Sequence, residues 1–137
     1  RPFGSPIESP AGIQGKATQF VMILDALQLR LLEKIRSDLA GYSVVRSTSP
    51  LDNRAIWLEI FAGGIHKGNS CQTLLKKLNI NCKEVAGLGN DYNDIDFLDI
   101  CAEAYLVANA PVNLQRHYKL VKSDKEEGFT EFISKVL

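Results

Sequence analysis

Apolar residues along the chain recur at two spacings, that of a β-strand and that of an α-helix. A strand-like run at 18–24 precedes apolar residues at helical spacing over 27–39, with Gly41 as a stop. Two more strand-like runs follow at 42–46 and 55–61, the second with polar interruptions. This pattern predicts a small unit of three strands and one helix.

From Gly63 onward, short helical patterns alternate with short buried strands. Such alternation is typical of a parallel α/β layer. The predicted helices cover about 69–78, 94–101 and 129–137, the predicted strands 84–88, 104–107 and 118–121, and a polar stretch lies at 113–117. We therefore expect an α/β fold, with 1–15 as a Pro/Gly/Ser-rich linker or tail, 16–62 as one unit and 63–137 as the parallel layer.

The composition limits the classes of partner that can be expected for this chain. The 137 residues have room for one core, or a small core with a partial second module. Sixteen basic and 16 acidic residues give a net charge of zero, which argues against nucleic acid or an anionic membrane as a partner. The longest apolar run, 20–24, is far shorter than the roughly 20 residues that cross a bilayer. We expect a cytoplasmic protein whose three cysteines are reduced thiols.

The segment 63–70 is the first that carries candidate chemistry. Its glycines allow a ligand to approach the backbone, and Lys67 adds a positive charge where a helix is predicted to begin. Asn69 or Ser70 can cap that helix. A surface lysine beside a helix cap explains this segment equally well, so the segment alone leaves both interpretations open.

The second segment, 87–96, follows a buried strand and is rich in oxygen-bearing side chains. Its Asn and Asp residues are Asn90, Asp91, Asn93, Asp94 and Asp96. Magnesium prefers such hard oxygen ligands and keeps several waters, so one or two carboxylates and a substrate phosphate would suffice. A capped turn needs only one such residue, and the loop lacks the glycine and distal glutamate of a calcium EF-hand.

Four motifs in order resemble the C-terminal third of Cof-type phosphatases of the haloacid dehalogenase (HAD) superfamily. They are Lys-Gly at 67–68, Gly-Asn-Asp-Tyr-Asn-Asp at 89–94, Ala-Asn-Ala at 108–110 and Glu-Gly-Phe at 127–129. The resemblance covers 56–137 well and 16–55 more loosely. It implies a Rossmann-like HAD core, of which 63–137 is the C-terminal half, and an α+β cap domain, of which 16–62 is a part.

The resemblance also implies roles for particular residues. Lys67 would be the catalytic lysine that steadies the phosphate, with Asn93 and Asn109 near the phosphate. Mg²⁺ would be held by Asp94, with Asp91 as the fallback, and by Asn90, which stands where the family pattern has an aspartate. An asparagine removes one negative charge, so it weakens the expected metal site.

The family's nucleophile motif, Asp-x-Asp after an apolar strand, has no match in this sequence. Asp25 ends an apolar run, but Leu27 stands where the second aspartate would be, and Ser47 and Thr48 imitate the family's Ser/Thr motif only superficially. We therefore expect phosphomonoester hydrolysis through an aspartyl phosphate whose nucleophile belongs to an upstream half of the enzyme. The chain alone should not hydrolyse p-nitrophenyl phosphate.

The expected partners are a small phosphorylated metabolite and that upstream half, with no nucleic acid and no membrane. An unfinished sheet edge would also favour a homo-oligomer. The main alternative is a non-catalytic α/β binding or assembly module in which 89–96 only caps a helix. A phosphomutase fragment shares the same half-site, whereas the phosphorylation domain of a cation pump shares only the metal loop.

Overall fold

Two three-stranded sheets make up the framework of the described residues, which are Ser9, 15–49 and 55–137 of a computed structural model. The first sheet is antiparallel in the order β1–β3–β2, and the second is parallel in the order β4–β5–β6. The strands are β1 Gln19–Asp25, β2 Tyr42–Thr48, β3 Ala55–Ala62, β4 Ala86–Gly89, β5 Glu103–Val107 and β6 Lys119–Val121. Most of the predicted tail, 1–15, and part of the turn after β2 lie outside the described residues.

The antiparallel sheet has one face covered by helix α1, Leu31–Asp38. Side chains alternate along each strand, so Leu24, Ile56 and Leu58 point to the same face and meet Leu32 of the helix in a small core. Leu58 on the central strand is fully inaccessible to solvent. The opposite face of this sheet carries Val21, Val45 and Glu59 in one cross-strand row.

Helix α1 begins four residues later than the prediction at 27. The Asp25 carboxylate accepts the Leu27 N–H at 2.8 Å, and the Gln28 side-chain oxygen accepts the Asp25 N–H at 3.0 Å. This reciprocal capping box ties 26–28 into a 3₁₀ turn before the helix. Apolar periodicity cannot reveal such a turn, because three residues are too few to distinguish a 3₁₀ turn from the start of an α-helix.

The parallel sheet confirms the predicted α/β layer. It is flanked by α2 Lys67–Leu78, α3 Ile95–Leu98, α4 Val112–Gln115 and α5 Gly128–Val136. Its core centres on Leu98, Leu106 and Phe132. Parallel strands need helical crossovers, and the short apolar strands separated by these helices meet that need.

Helix α4, Val112–Gln115, overlaps the stretch 113–117, for which the sequence predicted only polar character. Only Leu114 of this helix is buried, and four residues are too few to give a periodic signal. The Gln115 side-chain amide donates to the carbonyls of Ala108 and Ala110 at 2.9 and 2.8 Å. Those side-chain bonds hold the turn that follows β5.

Two expectations from the composition can be compared with the described residues. No helix among them combines the length and the apolar character that crossing a bilayer requires. Cys71, Cys82 and Cys101 are free thiols, and burial raises the pKa of Cys101. Cys71 and Cys101 are partly buried, whereas Cys82 is exposed.

Candidate functional site

Lys67 and Asp94 form the ion pair around which the candidate site is built. Lys67 is the first residue of α2, and its ammonium Nζ contacts the Asp94 Oδ1 and lies 3.3 Å from the Asn93 Oδ1. The Asp94 side chain is 5% exposed and that of Lys67 is 50% exposed. The structure therefore brings together three residues that the sequence predicted for this site.

The loop that follows β4 fixes the Asp94 carboxylate. Its Oδ2 accepts the backbone N–H of Asn90 at 2.7 Å and that of Asp91 at 3.2 Å. A buried carboxylate that accepts two backbone N–H bonds and contacts an ammonium is held in one position. Asp94 therefore stabilises the loop and also holds the Lys67 side chain in position.

Two glycines allow these segments to approach. A Cβ at Gly68 would lie 2.6 Å from the backbone oxygen of Asp96, and one at Gly89 would lie 2.8 Å from the Asp94 Cβ. Real Cβ atoms are not found that close, so each position requires glycine for the observed packing. Gly68 brings the start of α2 to the loop, and Gly89 makes room for the Asp94 side chain.

The predicted residue Asp91 faces the antiparallel sheet. Its carboxylate accepts the Thr48 hydroxyl at 2.8 Å and the Thr48 N–H at 2.5 Å. The neighbouring Tyr92 ring lies 3.7 Å below the guanidinium of Arg46. These contacts join the end of β2 to the loop, so Asp91 links the two sheets and is engaged rather than free.

The side chains of the other two predicted residues, Asn109 and Asn90, make no hydrogen bond to Lys67 or Asp94. Asn109 and Asp124 are joined by two hydrogen bonds, of 2.7 and 3.2 Å. The Asn90 side chain is exposed and makes no hydrogen bond within the described part of the chain. Asn90 nevertheless follows Gly89 at the carboxyl end of β4, the edge at which parallel sheets bind ligands.

The loop offers oxygen ligands of the type that magnesium prefers, in small number. Asn90 has an unengaged amide oxygen, whereas the Asp91 and Asp94 carboxylates already accept hydrogen bonds. Across the described residues no group of three or more His, Cys, Asp or Glu side chains is arranged to hold a metal ion. The donor set fits a magnesium ion that takes most of its other ligands from water and phosphate.

A cavity of about 240 Å³ opens beside the pair. Its lining includes Lys67, Asn93 and His66, and it includes Glu59 and Phe61 of β3. The His66 Nδ1 lies 3.0 Å from the Asp96 Oδ2, although the geometry is not that of a hydrogen bond. The cavity is therefore lined by both the Lys67 ammonium and part of the antiparallel sheet.

Comparison with known proteins identifies the family to which this site belongs. A model of the haloacid dehalogenase-like hydrolases matches residues 9–133. The chain belongs to this family. A protein of Streptococcus pyogenes serotype M6 named "Putative phosphatase M6_Spy0533" is 27% identical over 95 residues, which are 69% of this chain and 33% of that protein. The chain thus spans about a third of the length of this curated relative.

Solved structures show the same HAD fold. SMU.1108c from Streptococcus mutans superposes with a TM-score of 0.79 at 23% identity, over 94% of this chain and 48% of that one. The HAD subclass IIB sugar phosphatase BT4131 superposes with a TM-score of 0.69 at 14% identity, over 85% of this chain and 42% of that one. The Cof-type HAD interpretation and the α/β core with part of a cap are consistent with both.

The sequence did not identify Glu59, Ser47, Thr48 or Arg46 as neighbours of the HAD site. The polar interruptions of the predicted strand 55–61 were the only signal for Glu59. A strand pattern gives the face on which a residue lies only when its partner strands and register are known. The packing of the antiparallel sheet against the loop supplied that information.

The close approach at Gly68 predicts that alanine destabilises the chain more at this position than at Gly41. Gly68→Ala places a methyl group against the Asp96 carbonyl and should lower the free energy of unfolding by about 1–3 kcal/mol. Gly41→Ala is the control, because its Cβ would meet nothing within 4 Å. Urea midpoints at constant slope measure both variants. Equal losses at the two positions would contradict the packing argument.

Proposed function

We propose that this chain supplies the phosphate-binding and magnesium-binding half of a phosphomonoester hydrolase. The single observation that carries the proposal is the ammonium of Lys67, which has three N–H donors. Asp94 and Asn93 use two of them, which leaves one for a phosphoryl oxygen. The complete protein would react through an aspartyl phosphate whose nucleophile lies outside this chain, as the family resemblance implies.

The start of α2 supports the binding of an anion beside Lys67. This helix has 12 residues, and the side chain of its N-cap residue, His66, makes no capping hydrogen bond. Its first backbone N–H groups therefore receive no side-chain cap, and the helix dipole adds partial positive charge at the same point. A phosphoryl group at Lys67 would meet both the ammonium and these groups.

The charge balance explains why a divalent cation belongs in the proposal. The positive charge of Lys67 is offset by Asp94, and Asp91 adds a further negative charge to the loop. A phosphate dianion would thus meet no net positive charge from these side chains. Mg²⁺ would supply it when bound by Asn90, with Asp94 and Asp91 in the surrounding loop, and would polarise the phosphoryl oxygens.

The division of the chain is part of the same proposal. Residues 16–62, with the antiparallel sheet, would be part of a cap, and 63–137, with the parallel sheet, the C-terminal half of the core. Glu59 and Phe61 would then line the cavity from the cap, and Lys67 would line it from the core. A cap in this place would exclude water and contact the organic part of a small phosphorylated substrate. Asn109 would act near the phosphate only after exchanging its bonds to Asp124.

A non-catalytic module remains the second candidate because the loop has the features of a capped turn. Asp91 and Asp94 form a reciprocal capping box around 92–94, which would stabilise the chain without any ligand. Such a module would bind neither phosphate nor magnesium at this loop. The following two experiments separate the candidates.

Loss of the Lys67 ammonium should weaken phosphate binding. In the presence of Mg²⁺, Lys67→Met should reduce the affinity for inorganic phosphate by about tenfold or more, the scale of a hydrogen bond between charged groups. Nuclear magnetic resonance titration of the chain measures this affinity. Lys77→Met, an exposed lysine in the last turn of the same helix, controls for net charge. Equal affinities in the two variants would favour the non-catalytic module.

Restoring the family's aspartate should strengthen magnesium binding. Asn90→Asp adds a carboxylate where the side chain is exposed and unengaged, so the affinity for Mg²⁺ should rise by about tenfold. Mg²⁺-dependent shifts in thermal stability measure it. Asn113→Asp adds the same charge at the Tyr92 hydroxyl, on a residue outside the proposed ligand set. If both variants gain equally, the added charge and not coordination by residue 90 explains the effect.

A further inference from the structure

Glu59 occupies an unusual position for a carboxylate. It lies on β3, the central strand of the antiparallel sheet, directly between Val21 of β1 and Val45 of β2. The residue is half-buried, and it forms no ion pair with any other described residue. A carboxylate between two valines does not help a sheet to fold, because burial without a cation costs free energy. Residues that do not fit the packing of the element that carries them are often functional.

One hydrogen bond fixes the carboxylate. The hydroxyl of Ser47, itself buried, donates to the Glu59 Oε1 at 2.9 Å. Within the described residues, no hydrogen-bond donor contacts the Oε2 atom of Glu59. The side chain is therefore held in place while retaining an acceptor that water or a ligand must satisfy.

The cavity brings Glu59 into the same space as the proposed phosphate site. Glu59 lines the same 240 Å³ space as Lys67 and Asn93, and the surfaces beside it are the apolar side chains of Val45, Phe61 and Ile65. This volume is below the usual range for drug-sized ligands, so it suits a small metabolite. A ligand that fills it with its phosphoryl group at Lys67 would bring its organic part to Glu59.

We infer that Glu59 determines substrate specificity: it accepts a hydrogen bond from a hydroxyl or ammonium group on the organic part of a small phosphate monoester. The inference rests on the proposed function and names its substrate class. A donor would satisfy the free oxygen of Glu59, whereas a second anionic group would be repelled by it in an apolar surrounding. The site should therefore prefer polyol or amino phosphates over phosphates that carry a carboxylate.

A matched pair of probes tests this preference. Glycerol 3-phosphate and 3-phosphoglycerate differ only in a hydroxymethyl group against a carboxylate. Their affinities for the chain, measured by calorimetry with Mg²⁺ beside inorganic phosphate, should favour glycerol 3-phosphate by at least about tenfold. Glu59→Gln should reduce that ratio by at least about fivefold, because an isosteric amide removes the repulsion. Glu33→Gln, on exposed α1, should leave the ratio unchanged.

A second variant separates specificity from stability. Glu59→Val combined with Ser47→Ala completes the apolar row with Val21 and Val45 without leaving the buried Ser47 hydroxyl unpaired. This double variant should leave the free energy of unfolding unchanged or raise it, while it abolishes the preference. A merely structural Glu59 would instead lose stability in this variant without a change in the ratio of affinities. Either that result or an unchanged ratio in Glu59→Gln, with phosphate still bound, would overturn the inference. Absence of phosphate binding in the unaltered chain would overturn the proposed function, and the inference with it.

Discussion

The contact between Lys67 and Asp94 is the interaction on which the rest of the site depends. It joins the first residue of α2 to the loop after β4, and those two segments come from different parts of the parallel layer. Asp94 also receives two backbone N–H groups from its own loop, so one buried carboxylate orders both the loop and the lysine. The half-exposed ammonium then remains available to a ligand without being free to move away.

The antiparallel sheet meets this loop through polar contacts. Thr48 at the end of β2 donates twice to Asp91, and the Arg46 guanidinium lies over the Tyr92 ring. These contacts give the sheet one orientation over the loop, with its uncovered face turned toward the cavity. Polar contacts of this kind are weaker than an apolar interface of the same size.

Much of this arrangement could be predicted from the sequence. Alternating short strands and helices predicted the parallel layer, and the order of the motifs brought Lys67, Asn93 and Asp94 to one expected site. The start of α1 was missed because a side-chain capping box, not apolar periodicity, determines it. Helix α4 was missed because four residues with one buried side chain give no periodic pattern. Glu59 was missed for another reason: its place in the cavity depends on strand register and on how the two sheets pack, and a single sequence contains neither.

A double-mutant cycle between Lys67→Met and Asp94→Asn tests the central interaction most directly. Lys67 is half-exposed, so solvent screening lowers the expected coupling energy to about 1 kcal/mol, still above the value for a surface pair. The matched cycle on Lys34 and Asp38, both well exposed on α1, should give about 0.3–0.5 kcal/mol. Our account predicts clearly stronger coupling for Lys67 and Asp94. Coupling equal to or below that of the surface pair would contradict it.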